Sequence, residues 1–309
     1  MKSLQHRAEY GALRGLVRAL GAVPWDQAGR IGARVGAAGF RPLGVRRRVV
    51  ERQIAAAFPD LSQEEVAGMA LKSYEHLGRS AIETALLPGL GQAGVLRLVT
   101  EVESWDVVER AQAAGKGIII VAGHLGNWEL AGAFLAARGV PIDVIVRKMG
   151  NPFFEKYLNQ TRAQVGMNVV HDAQAVRHTP RALRDGRAVA FVADQGVRGL
   201  ASTFVPFFGR PAKTPRGAGV FALRFGAPVV FIAALRKPDG SYLVGFEEIP
   251  VIDTGDREAD VDGIVLRFTQ VLEKWVRRAP EQYFWQHRRW RRQPPDTPPE
   301  LRDPAAEPT

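Results

Sequence analysis

The chain has 309 residues, 46% of them hydrophobic, enough for one large body with a sizeable core. Cysteine is absent, which excludes a disulfide framework, thiolate metal sites and thiol nucleophiles. The formal net charge is +10 and it is concentrated: residues 1–52 carry eleven Lys/Arg against three Asp/Glu, and residues 277–292 carry six against one. Such patches attract polyanions, whether nucleic acid, an anionic lipid leaflet or an acidic protein, and composition does not choose among them.

In chain order, Leu13, Leu16, Val17 and Leu20 fall at helical spacing while Arg7, Arg14 and Arg18 occupy another face, which reads as a basic amphipathic helix. Two readings stand for it: packing on the protein's own body with a solvated charged face, or lying in a membrane interface. Arg14, Arg18, Asp26, Arg30 and Arg34 interrupt the best candidate for a spanning segment, which needs roughly 20 apolar residues, so no transmembrane helix is expected. The N-terminus lacks the basic, apolar, small-residue order of a secretory signal, and the chain is expected to remain in the cytoplasm. A second helical stretch covers about 46–57 and stops at Phe58-Pro59; Ser62-Gln63-Glu64-Glu65 then reads as a capping box for a helix through about Gly78 or beyond.

From Gly117 the pattern becomes short β-branched runs separated by helical ones: Ile118 to Val121, Val144 to Val146, Val169-Val170, Ala188 to Val192, Val229 to Ile232 and Tyr242 to Phe246. This alternation predicts an α/β sheet with helices packed on it. A helix from about Val261 to Arg277 follows, and the Pro- and Arg-rich tail from Gln293 onward is expected to be disordered.

Residues 121–130 read VAGHLGNWEL after the apolar run GIIIV. On a regular helix, His124 and Glu129 would point about 140° apart at roughly 3.6 residues per turn. If His124 instead ends a strand, Gly126 permits a tight turn, Asn127 caps the next helix, and Glu129 folds back from the first helical turn toward the imidazole. A carboxylate accepting one imidazole N–H leaves the other nitrogen free to take a proton from a hydroxyl, the arrangement of a general base for acyl transfer to an alcohol. The alternative is a structural histidine. The spacing is not that of an HExxH zinc site, and no GxSxG elbow is present. His171-Asp172 reads as an exposed loop pair or, alternatively, as metal ligands.

HLGNWEL resembles the first motif of the bacterial lipid A biosynthesis acyltransferases, the lauroyl and myristoyl transferases of the wider lysophospholipid acyltransferase superfamily. Further stretches match in the family's order: Val146-Arg147 with Asn151-Pro152; ADQG at Ala193 to Gly196 with FVPFFGRPA at Phe204 to Ala212; APVV with RKPDG; and PEQYFWQHRRW from Pro280 to Trp290. The resemblance spans about Arg46 to Arg292. It implies a glycerolipid acyltransferase-like mixed α/β sheet flanked by helices. The chain then divides into a helical, basic, membrane-associating region (1–90), an acyltransferase domain (91–292) and the tail (293–309).

The same resemblance makes His124 and Glu129 the catalytic pair, and Arg147 and Asp194 the basic and acidic positions of the later motifs. Arg147, just after a predicted strand, is a candidate to hold a phosphate of the acceptor or of the donor's phosphopantetheine, or else makes a surface ion pair. Asp194 orients Arg147 or the acceptor, or caps its turn. The loop carrying Arg210 borders an acyl-chain groove or the lipid interface, or else Phe207 and Phe208 belong to the core. Thr214-Pro215 reads as a helix start that leaves Arg216 available to an anion. With Asn127, these are the candidate substrate contacts.

The implied reaction takes an acyl chain from acyl-carrier protein to an anionic lipid A-type acceptor at the cytoplasmic face of the bacterial inner membrane, peripherally, with no metal, cofactor or nucleic acid. Two features depart from the family or divide it. Many members carry a more hydrophobic N-terminal anchor. Related mycobacterial phosphatidylinositol mannoside acyltransferases usually have Asp where Glu129 stands and lack the PEQYFWQHRRW ending, which favours the lipid A branch. Another lipid acceptor, or a non-catalytic basic binding protein, are the competing readings.

Overall fold

The computed structural model describes residues 2–196 and 199–306. Four helices open the chain: α1 (Lys2–Leu20), α2 (Trp25–Phe40), α3 (Arg47–Ala57) and α4 (Gln63–Leu98). The capping box that opens α4 is formed in both directions, the Glu65 N–H donating to the Ser62 hydroxyl and the Ser62 N–H to the Glu65 carboxylate. Near its end α4 kinks at Gly91, three residues after Pro88. On α1, Tyr10 stacks on Phe153 with centroids 5.7 Å apart, while Leu4 and Leu16 remain exposed. The helix therefore packs on the body along one side only.

Then follow β1 (Val99–Glu103), α5 (Asp106–Ala113), β2 (Ile118–Ala122), α6 (Trp128–Ala137), β3 (Ile142–Val146), α7 (Pro152–Gln164), β4 (Asn168–His171), α8 (Ala175–Arg184) and β5 (Ala188–Val192). The chain continues through β6 (Ser202–Phe207), β7 (Arg210–Pro215), α9 (Gly217–Phe225), β8 (Val229–Arg236), β9 (Tyr242–Ile249) and α10 (Arg257–Arg278). Seven strands form one sheet in the order β1-β9-β8-β2-β5-β3-β4, parallel except at the β8–β9 pair. This is the mixed α/β sheet expected from the sequence.

Strand β2 and residues 229–235 of β8 are apolar and buried because helices cover both sheet faces. Ile119 and Val121 join Phe231, Leu272 and Trp275 in one core layer. Ile118 and Ile120 join Leu130, Phe134 and Phe246 in the other.

Three features differ from the sequence reading. Strand β1, with the charged sequence VTEVE, was not anticipated. The stretch read as a loop bordering an acyl groove or lipid interface, or as core, is the β6–β7 hairpin, turned at Phe208 and Gly209, both with positive φ. Phe207 is fully buried and stacks near Tyr283 and Trp290, which is the core role.

The tail is also ordered as far as it is described. Gln293 donates to the Pro211 and Leu301 carbonyls, Arg288 pairs with Asp303 at 2.6 Å, and Ala305 is buried. Arginine and glutamine side chains satisfy several of its backbone carbonyls, and among the described residues its regular structure is limited to a 3-10 turn at Pro299–Leu301. Residues 307–309 of the expected disordered tail lie outside the described residues.

Candidate active site

Strands β2 and β5 run side by side with Ala122 opposite Val192. His124 and Asp194 each lie two residues past that matched pair, so the register brings them to one height at the carboxyl edge of the sheet. The imidazole Nδ1 is 2.6 Å from Asp194 Oδ1, and the His124 backbone N–H donates to Asp194 Oδ2 at 2.9 Å. One carboxylate thus grips both the ring and the main chain of the histidine.

Asp194 is only 1% exposed. Burial alone would raise its carboxyl, but the neighbouring His124, the two hydrogen bonds from that residue and Arg289 beyond outweigh burial and hold it well below the usual carboxylate range. An ionised carboxylate only accepts, so Nδ1 carries the imidazole proton and Nε2 presents a lone pair. Nε2 has no hydrogen-bond partner among the described residues, and the side chain is 21% exposed. Trp128 and Phe284 flank the ring at centroid distances of 4.9 and 5.9 Å. The same two residues, with Ser73, His76 and Ser80 of α4, line a small cleft beside it.

The strand-turn-helix geometry expected around His124 is present. Gly126 has φ +61°, and a Cβ there would lie 2.0 Å from the Ala234 carbonyl oxygen, so the turn needs glycine on both counts. The closing segment pins the same turn: the Phe284 N–H donates to the His124 carbonyl at 2.9 Å and the Gly126 N–H to that of Gln282 at 3.0 Å. Asn127 caps α6 by accepting from the Leu130 N–H at 3.0 Å. Its side chain is buried, so it fixes the turn rather than reaching substrate.

Glu129 is placed differently from the expectation. It lies in the first turn of α6, but Arg162 of α7 holds its carboxylate in a two-point grip at 2.9 and 2.5 Å, and Asp194 occupies the Nδ1 position. Asp194 accordingly orients His124 rather than Arg147. Arg147, at the end of β3, pairs with Asp172 at 3.1 Å and is half-exposed. Arg210 donates to the carbonyls of Glu300 and Arg302, and so fastens the tail. Arg216 pairs with Glu258 and Asp262, both at 2.6 Å, so it is not a free anion contact. Thr214-Pro215 ends β7; α9 starts at Gly217 after Arg216, and the buried Thr214 hydroxyl instead accepts from Arg289.

Residues that sequence reasoning missed complete the surroundings. His76 Nε2 lies 3.1 Å from the Gly126 carbonyl oxygen, and burial, with Arg236 and Arg79 nearby, pushes its imidazole down to about 4 against the pull of that carbonyl. Burial also pushes His287 down to about 4, helped by Arg289, His124 and Arg46 and opposed by Asp194. Both are neutral in the fold and, near 6.5, titrate in the unfolded chain. The unfolded state therefore binds more protons between about pH 6.5 and pH 4, and stability falls as pH drops through that window. Each histidine contributes up to about 1.4 kcal/mol per pH unit. Urea midpoints are expected to decline from pH 7 to pH 5, less steeply in His76→Gln; midpoints that stay level would contradict two buried neutral imidazoles.

Residues 2–292 match the sequence profile described as bacterial lipid A biosynthesis acyltransferase. The chain belongs to that family. It is 28% identical over 284 residues to the lipid A biosynthesis lauroyltransferase of Escherichia coli K12, covering 89% of each protein. It is 29% identical over 266 residues to that organism's lipid A biosynthesis palmitoleoyltransferase, covering 85% of each. A phosphatidylinositol mannoside acyltransferase of Mycobacterium tuberculosis H37Rv is 27% identical over 206 residues, 64% of each. This member of the lipid A acyltransferase family is thus an enzyme that transfers acyl groups to a lipid acceptor. Among its described residues no helix is long and apolar enough to cross a membrane.

Proposed function

We propose that this acyltransferase moves a fatty acyl chain from an acyl-carrier-protein thioester to a hydroxyl of a lipid A precursor, with His124 as general base and Asp194 as the carboxylate that orients it. The observation that carries this reading is the 2.6 Å Nδ1–Oδ1 contact, which commits one ring nitrogen and leaves Nε2 open. Nε2 takes the proton of the acceptor hydroxyl, and the oxygen attacks the thioester carbonyl. Collapse of the tetrahedral intermediate breaks the C–S bond, and the leaving thiolate recovers the proton from the imidazolium. The N-terminal turn of α6, beside His124, favours negative charge developing there.

The lipid A relatives support the acceptor, and the lauroyl and palmitoleoyl names support a fatty acyl chain. Arg147 is the candidate for a substrate phosphate, which would displace Asp172 from its guanidinium.

We place the reaction at the cytoplasmic face of the bacterial inner membrane, with the enzyme held peripherally. The basic N-terminal region supports this, and so does the loop between α2 and α3. There Leu43 (71% exposed) and Val45 (53%) project among the exposed Arg41, Arg46 and Arg48, the mixture that suits an anionic lipid interface.

The test incubates the purified protein with acyl-carrier thioesters and a panel of acceptors in anionic liposomes: a lipid A precursor, a phosphatidylinositol mannoside and a lysophospholipid. Mass spectrometry reads the products. An acyl increment on the lipid A precursor is expected, reduced about 10²- to 10⁴-fold in His124→Ala with liposome binding retained. Acylation of a different acceptor would replace the substrate, and parental activity in His124→Ala would end the general-base assignment.

A further inference from the structure

We propose that Gln282, in the closing segment of the chain, is a positioning residue for His124: its side-chain amide ties the backbone strap over the catalytic turn to strand β8. The proposal rests on the general-base reading of His124, because a base that must meet a hydroxyl in one geometry makes the placement of its turn matter.

Strand β8 outruns the strand beside it. Its pairing with β2 covers residues 229 to 231, opposite Ile119 to Val121, and β2 stops at Ala122, so the β8 edge from Ile232 onward lacks that neighbour. Its N–H and C=O groups still need partners. The catalytic turn supplies some of them: Gly126 forms a parallel bridge with Ala234, and the Asn127 N–H donates to the Ala234 carbonyl at 2.9 Å. Two residues on, Gln282 supplies the rest. Its Oε1 accepts from the Arg236 N–H and its Nε2 donates to the Arg236 carbonyl, each at 2.8 Å, so one side-chain amide pairs with Arg236 as a neighbouring strand's backbone would.

The main chain of the same residue holds the turn from the other side. The Gln282 carbonyl accepts from the Gly126 N–H at 3.0 Å, Tyr283 bridges Leu125, and the Phe284 N–H donates to the His124 carbonyl at 2.9 Å. The turn is thus wedged between β8 and residues 282 to 284, and Gln282 bonds to both walls. It is 8% exposed, and among the described residues its side-chain amide bonds to Arg236 alone, so it acts through the turn rather than on substrate.

Other side chains around the turn do not join its two walls. His76 Nε2 lies 3.1 Å from both the Gly126 carbonyl oxygen and the Ser80 hydroxyl, and belongs to α4. Gln53 of α3 grips the closing segment farther along: its Nε2 donates to the Trp285 and His287 carbonyls at 2.7 and 2.9 Å, and its Oε1 accepts from the Arg289 N–H at 2.7 Å. It is fully buried, and none of these bonds reaches the turn or β8. Gln53 is therefore a matched control: the same side chain gripping the same segment by its backbone, away from His124.

The test measures kcat, KM and a thermal midpoint for the parent, His124→Ala, Gln282→Met, Gln282→Asn and Gln53→Met, with kcat referred to folded protein. Methionine keeps the reach of glutamine but has no N–H and only a weakly accepting sulfur. Both Met variants should lower the thermal midpoint, since each leaves backbone groups unpaired. Only Gln282→Met should also lower kcat, about 10- to 100-fold with KM within about 3-fold, because a small displacement of the base is felt in the transition state and little in binding. Gln282→Asn, whose amide stands one methylene short of Arg236, should lose kcat in the same way. Gln53→Met should keep kcat within about 3-fold of the parent. Parental kcat in Gln282→Met, a loss carried by KM instead, or equal kcat losses in the two Met variants would overturn the proposal, because a purely structural role treats both amides alike. If Gln282→Met does not fold, Gln282→Asn is read against Gln53→Met on the same terms. Parental activity in His124→Ala would defeat the general-base reading itself; an inactive His124→Ala beside parental kcat in Gln282→Met would defeat only this inference.

Discussion

Asp194→Asn is expected to lower kcat by about 10³- to 10⁴-fold while leaving the fold intact. In the parent, one buried carboxylate accepts from both the His124 ring and the His124 backbone N–H. An asparagine of the same shape has one accepting oxygen and one donating nitrogen. If the oxygen keeps the backbone N–H, the nitrogen faces Nδ1 and favours the tautomer that protonates Nε2, the atom needed as base. The charge that stabilises the imidazolium formed in the reaction is lost in either orientation. The check is kcat in the mass-spectrometric assay beside a thermal midpoint. Activity within about 10-fold of the parent would mean that the pair is not the proton-transfer unit.

The sequence placed His124 at the end of a strand, where the structure has it, but expected Glu129 beside its ring where the structure has Asp194, and the reason is physical. Spacing along a chain favours local partners, and Glu129 is five residues away, whereas Asp194 is seventy. That second pairing depends on β5 being the neighbour of β2, a fact of strand order that neither segment contains. Once the strands are known to be adjacent, the matching offsets of His124 after IIIVA and Asp194 after AVAFV become a readable signal. The core strands and the α4 capping box were legible because their signals are local: apolar runs bounded by turns, and a Ser-x-x-Glu start.

The elements that escaped lack such signals. In β1 three of five residues are polar and exposure runs along its middle, as suits an edge strand. The β6–β7 hairpin carries prolines at 206, 211 and 215, which argue against strands unless the pair stands apart from the main sheet, as it does. Arg210, Arg216 and Arg289 look alike as arginines in basic surroundings. Only the fold shows that the first fastens the tail, the second sits between two carboxylates, and the third lies buried against the Lys213 carbonyl and the Thr214 hydroxyl.

Glu129 leads to the second large effect, in stability rather than catalysis. Its carboxylate and the Arg162 guanidinium are both largely buried, with side-chain exposures of 9% and 14%, and each is the other's charge partner. Removing one side leaves a buried charge unmatched, so Glu129→Ala and Arg162→Ala should each destabilise the protein by about 3–5 kcal/mol, read from denaturant midpoints. Replacing both at once, as in Glu129→Gln with Arg162→Met, removes the charges together and should cost far less than the sum of the single changes. The double variant also separates the two roles available to Glu129. If Glu129 oriented the base, the double variant would be stable and nearly inactive; because Asp194 holds Nδ1, it is expected to keep kcat within about 10-fold of the parent, the remaining loss coming from a looser junction of α6 with α7. A stable double variant as inactive as His124→Ala would return Glu129 to the catalytic machinery and remove Asp194 from its place there.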